Sequence, residues 1–306
     1  MELIGAALAF FSAFCYALGS VAATRDAQRN AGRGTAVVLS TVLTMLLAGG
    51  LWLVIGPPLP SEADVLLYGA AWFGLSGILA TVIGRVTFFR SVELAGAVET
   101  SVLRRLMPVF SAVLAVLFLG ERITGGMLVA FLLVFVGIAL VVWGNLQRMA
   151  MVEAAAPVGA RNAGRALAVG SAASYGTAYV TRKFGMQTFP DPLAGTFIGA
   201  VVGLAYFCTL APFNARYRAQ VAGLLKRPTP WQLVSAGALS VGQIALFAAL
   251  KFTDVTVVAI IASVEMFLAA WLAGFVIRSE PKPGQMFLLA SLVAMAGITV
   301  LAIERA

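Results

Sequence analysis

Two adjacent arginines, Arg104 and Arg105, stand near the middle of a long apolar run, in the stretch ETSVLRRLMPVF (99–110). A charged residue at the centre of a membrane helix costs about 2.5 to 3.5 kcal/mol on insertion scales, so neither arginine is expected to face lipid. Guanidinium groups bind carboxylates and phosphates through paired, charge-assisted hydrogen bonds. The pair therefore predicts either an anion-binding site or a buried structural network.

Carboxylates that could balance these charges are few. Arg85 and Glu99 flank the short connection at 90–95, so we predict that they lie at similar depth and form a structural charge pair. Glu265, halfway along a later apolar run, then remains as the partner of the two central arginines. One carboxylate against two guanidinium groups leaves positive charge in the membrane, which an anionic group of a substrate would neutralise.

Further candidates lie on other apolar segments. Arg105 shares a helical stripe of small residues with Ser101, Pro108 and Ala112, which favours Arg105 as the first contact of a ligand. Aromatic residues can also belong to interfacial belts, so the tyrosines have a structural alternative. The predicted substrate-binding residues are Arg105, Arg104, Glu265, Tyr16, Tyr175, Ser12, Ser171, Ser174, Gln243 and Trp72.

The composition argues against most enzymatic and metal chemistry. The 306-residue chain has no histidine, and its two cysteines, Cys15 and Cys208, both lie in apolar runs, so we predict no metal, no cofactor and no catalytic site. It is 61% hydrophobic and 11% charged, whereas soluble domains carry about 25% charged residues. We therefore predict a multi-pass integral membrane protein, located in the cell (inner) membrane.

Ten segments are apolar and long enough to cross a bilayer, which takes about 20 residues. The longest linker, 145–163, divides them five and five, which predicts a first repeat at 1–144 and a second at 164–306. The ten segments are 2–23, 35–56, 65–89, 96–119, 124–144, 164–182, 192–212, 231–251, 254–277 and 284–303.

The two halves resemble each other at one offset. ALAFFSAFCYALGSV (7–21) aligns with ALAVGSAASYGTAYV (166–180) at a shift of 159 residues, which pairs Tyr16 with Tyr175. Because each half has an odd number of segments, the second must enter the membrane from the opposite face. The sequence thus predicts an all-α integral membrane protein with ten transmembrane helices as two inverted five-helix repeats. A duplication that serves packing symmetry alone is the alternative.

The segment PVFSAVLAVLFLGERITGGMLVAFLLVFVGIALVV (108–142) has a weaker echo in MFLLASLVAMAGITVLAI (286–303). In this segment a proline-bearing helix ends in Gly-Glu-Arg and a glycine-bearing helix follows. The pattern resembles the hallmark of the drug/metabolite transporter superfamily, EamA type. The second half departs from this pattern, with Phe267 where Pro108 stands and RSEPKPG (278–284) in place of GERITG. The resemblance implies ten helices, a central cavity between the halves, and transport of amino acids, other metabolites or drugs.

We therefore expect a secondary transporter, an exporter of a small metabolite such as an amino acid or another anionic compound, that works by alternating access. The chain has no nucleotide-binding motif, so a gradient must drive it. A flippase for an anionic lipid carrier and an integral-membrane enzyme are the alternatives. The expected partners are a small-molecule substrate and membrane lipids, without nucleic acid, and a homodimer is left open.

Two more features carry structural or topological expectations. Glu121 and Glu280 are each predicted to cap the helix that follows them, and Gly137 and Gly297 to permit close helix contact. In the ten-helix arrangement, thirteen basic residues lie on one side of the membrane and five on the other. By the positive-inside rule, this count places both termini outside the cell. The resemblance implies cytoplasmic termini, and we predict that orientation; anionic lipid headgroups account for the basic loops.

Overall fold

The computed structural model describes residues 1–29, 36–152, 158–224 and 227–304, and within these ranges the chain is helical without a strand. Three π-helical stretches, Ile78–Gly84, Ala115–Leu119 and Leu272–Val276, continue α3, α6 and α13. The α-helices are α1 (Glu2–Arg29), α2 (Ala36–Ile55), α3 (Ala63–Gly77), α4 (Arg85–Ala95), α5 (Ala97–Arg104), α6 (Met107–Leu114), α7 (Gly125–Val152), α8 (Val158–Thr188), α9 (Pro192–Leu210), α10 (Ala215–Gly223), α11 (Pro230–Phe252), α12 (Val255–Ala262), α13 (Glu265–Trp271) and α14 (Gln285–Glu304).

Nine stretches of the described residues are long and apolar enough to span a membrane. The remaining predicted segment, 164–182, lies in α8, whose 31 residues extend about 46 Å but include more polar positions. The chain is an all-helical, multi-pass integral membrane protein, and the count of ten spans stays a prediction. The predicted linker 145–163 is helical at both ends, and its residues 153–157 lie outside the described residues. Three of the basic residues counted for the membrane orientation, Arg33, Lys226 and Arg305, also lie outside them.

Two predicted spans are each interrupted near their middle. The first breaks at Arg105 and Leu106, between α5 and α6, and the second at Ser263 and Val264, between α12 and α13. The breaks lie 158 residues apart, close to the offset of the sequence repeat. At the breaks, backbone N–H groups donate to the carbonyl three residues earlier and not four, as in a 3₁₀ turn. An example is Arg105 N–H to Val102 O at 3.0 Å.

Proline accounts for the first break only. Pro108 lies in the first turn of α6, where a proline is tolerated because its missing N–H would be unpaired there. Phe267 takes the corresponding place in α13, so the second break has no proline to cause it. Instead, the Ser263 hydroxyl donates to the Ala259 carbonyl at 2.9 Å, and back-bonding of this kind bends helices.

The helices pack in pairs that exchange when the two halves are exchanged. Helix α1 of the first half lies along α11 of the second half, and α8 of the second half lies along α3 and α4 of the first. Helix α2 packs on α9, and α7 packs on α14. Two matching hydrogen bonds join these pairs: Ser12 donates to Gly242 O and Ser171 to Gly84 O, both at 2.7 Å. This arrangement is that of two structural repeats; their inverted orientation stays a prediction.

Glycines let α7 and α14 approach closely. A Cβ added at Gly297 would lie 2.9 Å from Ala130 O, and one at Gly137 would lie 2.7 Å from Ala290 O. Neither carbonyl can move without displacing its own helix, because it belongs to the backbone. The predicted role of these glycines in close helix contact is confirmed.

We expect Gly297→Val to lower the melting temperature of the purified protein by several degrees, because overpacking typically costs about 1 to 3 kcal/mol. Gly170→Val, in the middle of α8, is the control, since a Cβ there meets nothing within 4 Å. Thermal unfolding in one detergent measures both variants. Equal melting temperatures for the two variants would contradict the packing argument.

Candidate functional site

The guanidinium group of Arg104, the last residue of α5, lies between two aromatic rings. Its carbon Cζ is 4.9 Å from the centre of the Phe88 ring and 4.8 Å from that of Tyr175. Cation–π contacts at this distance are worth about 0.5 to 2 kcal/mol, more when water is excluded. Phe88 belongs to α4 and Tyr175 to α8, so Arg104 ties the first break to both helices.

Arg105 and Glu265 occupy the two breaks. Arg105 lies in the interruption after α5, and Glu265 is the first residue of α13. Electrostatic interactions link Glu265 to both Arg104 and Arg105. In the part of the chain that the structure describes, these groups do not form a direct ion pair. The three charged groups therefore lie close enough to interact through their charges.

Tyr16 and Gln243 join α1 to α11 beside these charged groups. The Tyr16 hydroxyl donates a hydrogen bond to Gln243 Oε1, and both residues are half-buried. Tyr16 also interacts electrostatically with Glu265 and Tyr175. The structure thus brings five of the predicted site residues from α1, α5, α8, α11 and α13 into one cluster with Arg105.

Arg182 and Tyr179 of α8 complete the cluster, and the sequence analysis missed both. Arg182 is only 6% exposed, and its Cζ lies 5.6 Å from the centre of the Tyr179 ring and 5.0 Å from that of Phe247. Its Nε is buried and makes no hydrogen bond. Electrostatic interactions link Tyr179 to Arg182, Glu265 and Arg104.

Arg182 was overlooked because the predicted helix ended too early. The predicted segment ended at residue 182, which placed Arg182 at the membrane surface, whereas α8 continues to Thr188. Two sequence signals could have corrected it. Tyr175, Tyr179 and Arg182 follow a spacing of four and three residues, which is one face of a helix. Asp191 before Pro192 marks the start of the next helix, and its side chain caps α9.

The balance of charge in this cluster is positive. The cluster holds three guanidinium groups, those of Arg104, Arg105 and Arg182, and one carboxylate, that of Glu265. Glu265 interacts with Arg104 and Arg105, whereas Arg182 interacts with Tyr16 and Tyr179. Desolvated cations without a matching anion are costly, and in membrane proteins such groups mark substrate or ion pathways. The arrangement can hold an anion between planar guanidinium groups, with tyrosine rings and hydroxyls at its sides.

Two stretches of the chain match one family. The EamA-like transporter family matches residues 3–143 and again residues 162–303, which together make up most of the chain. The chain belongs to the EamA-like transporter family. It is therefore a membrane transporter of the drug/metabolite type, and the two matches correspond to the two structural repeats.

Comparison with individual proteins adds information on the fold alone. No curated protein matches the sequence. One solved crystal structure superposes on this transporter with a TM-score of 0.69 at 13% identity, over 98% of this chain and 96% of that one. At this identity the likeness shows a shared fold and carries nothing about the substrate.

The serines predicted in the site make contacts between helices. Ser12, Ser171 and Ser174 are buried and donate to backbone carbonyls of neighbouring helices at 2.7, 2.7 and 2.8 Å. Interhelical hydrogen bonds of this kind join helices within a bilayer. Trp72 is likewise engaged in packing, with its ring stacked on Phe184 at 4.8 Å between centroids. These four residues take part in helix packing, and a contact with substrate stays a prediction for them.

The predicted charge pair between Arg85 and Glu99 is wrong. Glu99 accepts hydrogen bonds from Arg161 Nε at 3.0 Å and from Arg165 Nε. Both arginines lie in the first turns of α8, which starts earlier than the sequence predicted and passes beside α5. Arg85 lines a separate pocket between α4, α9 and α10.

Glu121 connects the two halves of the transporter. Its carboxylate accepts hydrogen bonds from the backbone N–H groups of Val255 at 2.6 Å and Thr256 at 3.0 Å, and from the Thr256 hydroxyl at 2.7 Å. The prediction that Glu121 caps the helix that follows it, α7, is wrong: its carboxylate caps α12 of the other half. Beside it, Lys183 Nζ donates to Leu250 O and Thr253 O, both at 2.8 Å.

Proposed function

We propose that this transporter carries a small anionic metabolite, and that the carboxylate or phosphate of the substrate binds between Arg104, Arg105 and Arg182. The observation that carries the proposal is the excess of positive charge beside the paired helix breaks. Interrupted helices in corresponding places of two repeats are typical of substrate sites in secondary transporters. Alternating access around this site is the mechanism that we propose, and export is the direction that the family resemblance implies.

The single carboxylate narrows the class of substrate. Glu265 stands opposite the arginines and would repel a purely anionic group that came close to it. An α-amino acid carries a carboxylate for the guanidinium groups and an ammonium group for Glu265. Amino acids are therefore the favoured class within the proposal, with Tyr16 and Gln243 beside the side chain of the substrate.

Binding experiments on purified protein test the proposal. We expect carboxylates and amino acids to raise the melting temperature, and the matching primary amides to leave it unchanged, because an amide lacks the charge that the arginines require. A ligand at 100 times its Kd stabilises by about 2.7 kcal/mol, which amounts to several degrees. Amides that stabilise as well as their parent acids would contradict the anion site.

Transport itself is measured with the best ligand of that screen. Proteoliposomes loaded with this ligand should exchange it for labelled ligand outside, and the amide should fail to compete. Loss of exchange in the Arg105→Lys variant, at an unchanged melting temperature, would link binding to transport.

A further inference from the structure

A cavity lies on the far side of α4 from the arginine cluster. It has a volume of about 230 Å³, enclosed by the end of the α3–α4 span, α9 and the short helix α10. Thr81, Arg85 and Phe89 line it from one helical face. Phe88, the residue before Phe89, contacts Arg104 instead. This fits a helix, in which successive side chains are rotated by about 100°. The cavity is thus separate from the proposed substrate site.

Two buried polar atoms of this cavity have no hydrogen-bond partner. They are Nη1 of Arg85, a donor, and Oε1 of Gln220, an acceptor, and both residues line the cavity. Buried polar groups are almost always paired, and leaving one unpaired is costly. A molecule that fills the cavity should therefore offer an anionic acceptor to Arg85 and a hydroxyl donor to Gln220.

The rim of the cavity is already balanced in charge. Arg90 Nη1 lies 3.1 Å from Glu93 Oε2, and both side chains are largely exposed. Tyr206 and Tyr217 stand side by side on the opposite wall, with ring centroids 5.8 Å apart. Arg85 is thus the guanidinium group left to bind a ligand, and two aromatic rings form a wall against which the apolar part of that ligand can pack.

Depth in the membrane indicates what kind of molecule enters. The spans on either side end near Ala95 and Leu210, and α10 follows directly as a short connecting helix. Arg85 lies ten residues before Ala95, about 15 Å along the axis. Headgroup layers are about 5 to 8 Å thick, so the rim lies at headgroup level and the backbone of Arg85 about 7 to 10 Å beneath that layer. Arginine side chains at such depths extend toward the interface. Basic pockets between helices at this level bind anionic lipid headgroups.

We propose that this cavity binds the headgroup of an anionic phospholipid, with the phosphate on Arg85 and a headgroup hydroxyl on Gln220. A phosphodiester with a free hydroxyl, as in a glycerol headgroup, matches both unpaired atoms. A choline headgroup offers the phosphate but no hydroxyl. Free phosphate or a soluble phosphate ester shares the same chemistry, and the experiment separates these sources.

Thermal unfolding in a neutral detergent tests the proposal with four additives: phosphatidylglycerol, phosphatidylcholine, glycerol 3-phosphate and inorganic phosphate. We expect phosphatidylglycerol to raise the melting temperature of the unmodified protein and phosphatidylcholine to have a much smaller effect. Arg85→Gln should raise the concentration of phosphatidylglycerol needed for half of the shift at least tenfold. Arg90→Gln, on the balanced rim, is the matched control and should respond like the unmodified protein.

Two outcomes would overturn the proposal. A response of Arg85→Gln to phosphatidylglycerol equal to that of Arg90→Gln would remove Arg85 from any lipid site. Equal stabilisation by glycerol 3-phosphate or inorganic phosphate would assign the cavity to a soluble anion and not to a lipid. Should Arg85→Gln fail to fold, Gln220→Leu takes its place, with a smaller expected loss, and an unchanged response in that variant counts against the proposal. Arg105→Lys should keep the lipid response.

Discussion

Replacing Arg105 with lysine should weaken the binding of an anionic substrate by more than tenfold while the transporter stays folded. Lysine keeps the positive charge opposite Glu265 but loses the planar, two-pronged arrangement of donors that a carboxylate fits. A lost charge-assisted contact of about 1.5 to 3 kcal/mol corresponds to roughly a ten- to hundredfold loss of affinity. Affinity and melting temperature should be measured on the same purified sample.

Arg104→Lys is the internal comparison for this experiment. Arg104 is held between the Phe88 and Tyr175 rings, and lysine stacks less well on aromatic faces. We therefore expect Arg104→Lys to lower the melting temperature more than Arg105→Lys does, since it loosens α5 from α4 and α8. Normal affinity in both variants would end the anion-site hypothesis.

Removing the carboxylate of Glu121 should have the largest effect on stability. In the Glu121→Ala variant, the N–H of the fully buried Val255 would lose its acceptor. An unpaired buried group costs about 1 to 3 kcal/mol, and the charge on the acceptor adds to this. We expect a fall of several degrees in melting temperature, together with slower exchange of substrate in proteoliposomes.

Glu280 supplies the matched control, because the repeat offset makes it the counterpart of Glu121. Glu280 is exposed in the loop that follows the π-helical stretch Leu272–Val276. If the two repeats interchange conformations during transport, Glu280 would cap α5 on the opposite side when Glu121 releases α12. Glu280→Ala should then slow exchange with little change in melting temperature. The same fall in melting temperature in both variants would contradict this reciprocal pair.

Composition and repetition were enough to establish the class of this protein. A chain with 61% hydrophobic and 11% charged residues cannot cover itself with polar surface in water, which alone requires a bilayer. Apolar runs of about 20 residues must then form helices, because their backbone groups have no other hydrogen-bond partners in lipid. These constraints are local, so most helices lie where the sequence predicted them.

The central charges were also predictable in kind. Arg104, Arg105 and Glu265 had to face the interior, because each is too costly to expose to lipid. Pro108 was visible in the sequence as a helix-disrupting residue, yet the apolar runs predicted continuous helices through both breaks. Its second-half counterpart is a phenylalanine, so the break after α12 had no proline to mark it, only Ser263.

The identity of each polar partner was decided by the tertiary structure alone. Glu99 could have paired with Arg85, the arginine on the adjacent segment, but α8 brings Arg161 and Arg165 nearer. Glu121 caps a helix 134 residues away in the chain and not the helix that follows it. The sequence shows which charges must be buried, and the cost of burial requires each of them to have a partner. Which group satisfies it depends on how helices from both halves cross, and no local rule encodes that geometry.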